Sequence, residues 1–436
     1  MKQITEEFLA KVRAEYAADT QSHVLHHALA KTEMADLAYV PEAAAKLKGT
    51  FAVEVQTNGI TAQEKSGRCW LFAALNILRE VAAKNLNLEK FELSQNYLMF
   101  YDKLEKANNF LQMCIDHADK PIKGQQMQYV LQGMSDGGYW SQVADLINKY
   151  GVVPKQVQPE TFQSEHTASY ISTINKLLRK DAYELRELVK AGKDPYTRKE
   201  QMLAEVYKAQ CIAFGEPVDT FDFEYTDKDK KYHCERNLTA KSFMDKYVGP
   251  VLKDFMPVTN EPVENRPMNT LFTFHGIENM VGRDMTALNL SQSELEELCV
   301  KQLKDGQAIW FACDAGAFGA RKEGVWDQDS VDYAGLLGGF DISMPKGAGL
   351  DYNAIYPNHA MLLTGVNFGA DGQPDRWKIE NSWGKDVGDD GYFVCSERYF
   401  KELVFEVVID KKYFTPAQLA LLDQPAVAIN AWEEDH

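Results

Sequence analysis
No paired-cysteine motif occurs in this sequence. Its seven cysteines, at 69, 114, 211, 234, 299, 313 and 395, are odd in number, scattered and without a CxxC spacing. That pattern predicts reduced thiols and argues against a disulfide framework or a structural zinc site. No apolar run approaches the roughly 20 residues needed to span a membrane. The opening MKQITEEFLAKVRAEY carries acidic residues where a signal peptide would carry an unbroken apolar core. A cytoplasmic protein without a membrane partner is expected. Positive charge is also scarce: 47 Lys and Arg stand against 64 Asp and Glu, a net charge of −17. Such a surface disfavours nucleic acid as a partner. The run DKDKKYH, interrupted by acidic residues, reads as a solvated turn. There is no internal repeat, low-complexity tract or Gly-rich phosphate loop.

What remains is globular in character, with 45% hydrophobic and 25% charged residues. A chain of 436 residues exceeds one ordinary core, so two or three domains, or one enlarged by insertions, are expected. Residues 4–17 carry Ile4, Phe8, Leu9, Val12 and Tyr16 at helical spacing, an amphipathic arm that needs a surface to lie on. GTFAVEVQ at 49–56 alternates like a strand. WLFAALNILREVAAKNL is strongly helical and places Cys69 at a helix N-terminus. There the helix dipole, with Arg68 and Lys65 nearby, is expected to favour thiolate. The charged stretch from about Thr167 to Asp254 reads as a mainly helical insertion. The last third turns strand-like, at 307–319, 359–369, 375–381 and 391–395. A helical half bearing a cysteine and a β half bearing a histidine predict a two-lobed α+β fold with a cleft between the lobes.

That cleft has the residues for nucleophilic catalysis by sulfur. A thiol nucleophile needs a base beside it and a group that orients the base. His359 opens one β segment and Asn381 ends the next, so an antiparallel sheet can make them neighbours. Gln63, six positions before Cys69, can offer its amide N–H to a developing oxyanion together with the Cys69 backbone N–H.

The ordered set Gln63, Cys69-Trp70, His359-Ala360 and Asn381-Ser382-Trp383-Gly384 resembles the papain superfamily. Two features depart from ordinary papain. Ser66 stands where the papain signature has a cysteine, and Cys69 and His359 are 290 positions apart (359 − 69) against roughly 130–150. An insertion of about 150 residues follows from that difference. The phrases SGRCWLFAALN, ELSQNYLMFYDKLEKANNFL, INKYGVVPK and NHAMLLTGV are similar to the bleomycin hydrolase and bacterial aminopeptidase C family.

The resemblance implies an intracellular cysteine peptidase acting on peptides, with Cys69 as nucleophile, His359 as base, Asn381 as orienter and Gln63 as oxyanion donor. It implies substrate contacts at Gly67, Asn358, Trp383 and His436, with Trp383 covering the His–Asn contact. A homo-hexameric barrel is implied, and no metal or organic cofactor. The implied organisation is an N-terminal hook at 1–50, a helical lobe at 51–166, an inserted helical domain at 167–270, a β-rich lobe at 271–425 and a tail at 426–436. Family aminopeptidases end in a tail like W-D-P-M-G-A-L-A, whose carboxylate meets the substrate amine. Here AWEEDH keeps Trp432 but stops three residues early. Aminopeptidase action is expected, with an endopeptidase of the same family as the alternative. A non-catalytic relative would be expected to have lost one of the four residues, and all four are present.

Overall fold
The structure is a computed structural model in which residues 3–433 are described. Its centre is the helix Cys69–Leu86, whose sequence is apolar on nearly every face, so that residues from Trp70 to Leu86 are buried along its length. A helix of this kind is stable only when wedged between other elements. It stops at Asn87, which takes the left-handed conformation (φ 54°) and donates its N–H to the carbonyls of Ala83 and Lys84. The helix Gln95–Asp116 starts where the Ser94 hydroxyl accepts the Tyr97 N–H. The helices Ala168–Lys190 and Tyr196–Phe214 pack against it. They share one apolar core with the nucleophile helix and do not form a core of their own.

The other half is a mixed sheet. From one edge to the other it runs Val427–Asn430, Thr270–His275, Met285–Asn289, Phe255–Thr259, Val404–Asp410, Ile309–Cys313, His359–Phe368, Pro374–Glu380 and Tyr392–Ser396, then two short strands at 325–326 and 319–320. The sheet and the helices together make an α+β fold, as expected. The strand Phe255–Thr259, which falls within 167–270, pairs with Val404–Asp410 in this sheet. The alternation at 49–56 yields only the two-residue strand Val53–Glu54, held against Val366 and Gly365. Gly365 is required there, because a Cβ would lie 2.8 Å from the Val53 carbonyl oxygen. The central strand His359–Phe368 is buried from His359 to Val366. Its Ala360 and Leu362 face the helical core, and its Met361 and Leu363 face a second core that includes Leu295 and Leu298 of the helix Gln292–Lys304. Burial on both sides explains the unbroken apolar run AMLL. The aromatic stretch after Asp219 forms the hairpin Phe221–Thr226/Tyr232–Leu238, and DKDKKYH closes its turn, with Asp227 accepting the N–H groups of Asp229 and Lys231.

The N-terminal helices Glu6–Ala18 and Thr20–Leu29 bury no residue. Among the described residues no helix is long and apolar enough to cross a membrane.

Candidate active site
A cleft of about 760 Å³ lies between the lobes, with Gln63, Gly67, Cys69, Asn358 and His359 on its wall. Cys69 is the first residue of its helix, so its N–H has no acceptor within that helix. The N–H groups of Ala360, Trp70 and Cys69 itself face the sulfur and favour thiolate. Burial nevertheless outweighs them and pushes the thiol above its ordinary value, with the Asp136 carboxylate adding to the effect. The expectation that the helix terminus, with Arg68 and Lys65 nearby, favours thiolate is therefore corrected: the N–H groups do so, but Arg68 is paired with Glu160 and burial prevails over the dipole.

His359 donates or accepts through Nε2 at 2.8 Å from Asn381 Oδ1. The roles follow from the next bond along. Ser382 N–H, which can only donate, is 2.8 Å from the same oxygen. Asn381 therefore presents its carbonyl to the ring, and His359 Nε2 carries the proton. Nδ1 is then the lone-pair nitrogen of the neutral ring. Burial pushes His359 down to about 4, against the Asn381 hydrogen bond and with help from Arg321. Charging the thiol alone or the imidazole alone is thus disfavoured, whereas proton transfer from one to the other leaves the pair neutral. Trp383 stacks on the His359 ring, with centroids 4.7 Å apart and planes at 29°, and the Arg321 guanidinium lies over Trp383, 4.2 Å from a ring centroid.

Gln63 is buried and held at both ends. Its Nε2 donates to the Ser66 carbonyl at 2.6 Å, and its Oε1 accepts the Ser382 hydroxyl at 2.7 Å. A carbonyl cannot donate, so the amide orientation is fixed, and one Nε2 hydrogen remains for the cleft. The Ser66 hydroxyl donates to the Gln63 carbonyl at 2.6 Å and accepts from Arg68 Nε at 2.8 Å. Arg68 in turn makes an ion pair with Glu160, its Nη1 donating to both carboxylate oxygens at 2.9 and 3.1 Å.

Gly67 lies in the cleft wall with its N–H donating to Asp136 at 2.9 Å. A Cβ there would sit 2.8 Å from the Asp136 Cβ, so the approach demands glycine. Burial opposes ionisation of Asp136, but the Lys103 ammonium at 2.8 Å, the Thr167 hydroxyl and the Gly67 N–H hold it well below the usual carboxylate range. Thr167 precedes the helix Ala168–Lys190 without capping it through its side chain, and its hydroxyl goes to Asp136 instead.

Asn358 lines the cleft, but its side chain is engaged in the loop, donating to Asp314 at 2.6 Å and accepting from Ala315 N–H at 2.9 Å. His436 lies outside the described residues. The supporting residues Glu160, Asp136 and Arg321 carry no signal in the sequence. Ser382 is visible only through its place beside Asn381, and Arg68, expected as a positive charge beside the thiol, is instead paired with Glu160. Elsewhere, the ligand atoms of His275, Glu278 and Asp284 lie within 4.8 Å of one another, and Glu278 also borders the cleft.

Comparison with known proteins agrees with this geometry. Aminopeptidase C of Listeria monocytogenes is 40% identical over 395 residues, covering 90% of this chain and 89% of the relative. Aminopeptidase G of Lactobacillus delbrueckii subsp. lactis is 39% identical over 435 residues, covering 99% of each. The crystal structure of PepW from Lactobacillus rhamnosis superposes with a TM-score of 0.95 at 37% identity, covering 99% of this chain and 98% of that one. The Peptidase C1-like family pattern matches residues 3–434, so the chain belongs to that family and is a cysteine peptidase.

Proposed function
We propose that the chain is an aminopeptidase that removes N-terminal residues from peptides through a thioacyl-enzyme. The observation that carries the reading is the fixed Nε2–H tautomer of His359, which leaves Nδ1 free to act as base in the cleft that His359 shares with Cys69. In the reaction Cys69 Sγ attacks the scissile carbonyl carbon as its proton passes to His359 Nδ1. The oxyanion receives the Cys69 backbone N–H and the free Nε2 hydrogen of Gln63. Collapse breaks the C–N bond, and the imidazolium gives its proton to the departing amine. Water then attacks the thioester, its proton going to His359, and the carboxylic acid leaves as the thiol re-forms.

The names of the relatives support exopeptidase action. The test compares fluorogenic aminoacyl amides with their N-acylated forms. Free-amine substrates are expected to be cleaved at least about tenfold more efficiently, the cost of leaving one charged group without its partner. Equal rates would return the endopeptidase alternative. Gln63→Ala is expected to lower kcat by about 10²–10³ with KM little changed, because the donor acts on charge that develops in the transition state. A wild-type kcat in steady-state assays would remove Gln63 from the site.

The homo-hexamer, which sedimentation velocity reads directly, draws support from the N-terminal arm. Its helices bury nothing and leave Ile4, Phe8, Tyr16 and Val24 uncovered. Cytoplasmic residence draws support from seven free cysteines.

A further inference from the structure
The strands Val404–Asp410, Ile309–Cys313 and His359–Phe368 lie side by side, and their register places Glu406 opposite Ala312 and Ala312 opposite Ala360. Residues opposite one another project from the same face of a sheet. That face is the one toward the helical lobe, because Val408, Trp310 and Leu362, each two residues along its strand, sit in the lobe's core. Glu406 therefore lies two strand spacings, about 10 Å, from Ala360, whose N–H faces the Cys69 sulfur. The two residues ahead of it in this row, Ala312 and Ala360, carry only methyl groups.

Glu406 is 7% exposed, and burial, with no donor or cation among the described residues acting on it, pushes its carboxyl up to about 8. It borders a second cavity, of about 710 Å³, that shares Tyr129, Gln132, Tyr139, Ile277 and Pro357 with the catalytic cleft. Among the described residues the other charged groups of that cavity are Glu261, Arg266, Asp351 and Glu433, and Arg266 is paired with Glu261. Buried carboxyl groups ordinarily have partners. This one faces an open space that joins the reaction site, and none of the described residues partners it.

We propose that Glu406 receives the α-ammonium group of the residue being removed. The proposal rests on the aminopeptidase reading and names the group by which that activity recognises its substrate. An ammonium supplies three N–H donors and the missing positive charge. One aminoacyl unit held on sulfur, a charge-assisted hydrogen bond of about 2.8 Å and the glutamate side chain together span a distance of this order. An N-acylated substrate brings one N–H and no charge, so it meets a carboxyl that burial keeps protonated and gains no ion pair from it.

Glu406→Gln keeps the shape and removes the charge. In the full-length enzyme, kcat/KM for an aminoacyl amide with a free amine is expected to fall about 10- to 100-fold, mainly through KM. The deamino analogue, with hydrogen in place of the amine, should change by less than about twofold, so the preference for the amine collapses. Glu406→Asp should keep part of that preference. Alkylation of Cys69 at the wild-type rate would show that the site is intact. A Glu406→Gln enzyme that keeps the wild-type ratio between the two substrates overturns the proposal, and loss of that ratio on truncation after Trp432 would assign the anchor to the tail. If the wild-type enzyme itself does not prefer free amines to N-acylated substrates, the aminopeptidase reading fails and this proposal fails with it. A wild-type preference that survives Glu406→Gln removes Glu406 alone.

Discussion

Cys69→Ser lowers kcat by about 10⁵–10⁶-fold while leaving the folded state intact, an effect of the size seen when a nucleophile is removed from a coordinated catalytic set. The substitution exchanges sulfur for oxygen without changing the branching of the side chain, so packing at the start of the helix Cys69–Leu86 is preserved. The hydroxyl, however, holds its proton far more tightly than a thiol does, and His359, pushed down to about 4 by burial, is too weak a base to take it. Thermal unfolding near the wild-type temperature, together with absence of turnover, is the expected pair of results. Iodoacetamide should label the wild-type enzyme first at Cys69. Of the competing thiols, Cys114, Cys299, Cys313 and Cys395 are buried, with burial pushing Cys114 up to about 12, and the half-buried Cys211 and Cys234 do not line the cleft that holds His359. Activity lost through labelling of a different cysteine, with Cys69 unmodified, would refute the nucleophile.

His359→Ala is expected to lower kcat by about 10⁴–10⁶-fold and also to change the chemistry of the sulfur it leaves behind. In the wild-type pair the thiol proton has an acceptor, and thiolate forms without adding net charge to the cleft. Without the imidazole, ionisation must put an isolated negative charge in a buried site. Burial holds the Cys69 thiol above its ordinary value, so near neutral pH the variant keeps its sulfur protonated. Its alkylation rate should therefore be low at pH 7 and climb steadily as the pH is raised, because reactivity follows the thiolate fraction. The wild-type profile should already be flat in that range. Identical profiles for the two enzymes would show that His359 does not share a proton with Cys69.

The four residues Gln63, Cys69, His359 and Asn381 were legible in the sequence because the chemistry restricts residue type and chain order more strongly than packing does. The strands at 359–368, 374–380 and 392–396 were legible as apolar or alternating runs between turn signals. The alternation at 49–56 misled by length, since only Val53 and Glu54 find a partner strand. The strand Phe255–Thr259 was hidden at the end of a charged helical stretch, where membership of the sheet depends on a partner about 150 residues away. The ionisation of Cys69 was not legible at all. The dipole of a helix can be inferred from local sequence, whereas burial is a property of the assembled lobes. Asp136, Glu160 and Arg321 were lost for the same reason, as each acts on the site from a distant part of the chain. Glu406 did leave a trace: it is a lone carboxylate inside VFEVVI, a run otherwise buried and apolar.

The Thr167 hydroxyl, spent on Asp136 instead of on its own helix, has a kinetic meaning for the enzyme at rest. Opening of the loop at Gly67 must break the bond to Asp136, and the same carboxylate holds Lys103 and the first turn of Ala168–Lys190. Arg68 adds a second tether, to Glu160, a few residues ahead of that helix. Loop and helix therefore form one cooperative opening unit, and the loop cannot fray by itself as an exposed segment ordinarily does. Amide hydrogens on the loop inherit the opening free energy of the inserted helices, and a substitution that loosens the start of Ala168–Lys190 lets water reach the amide beside the nucleophile.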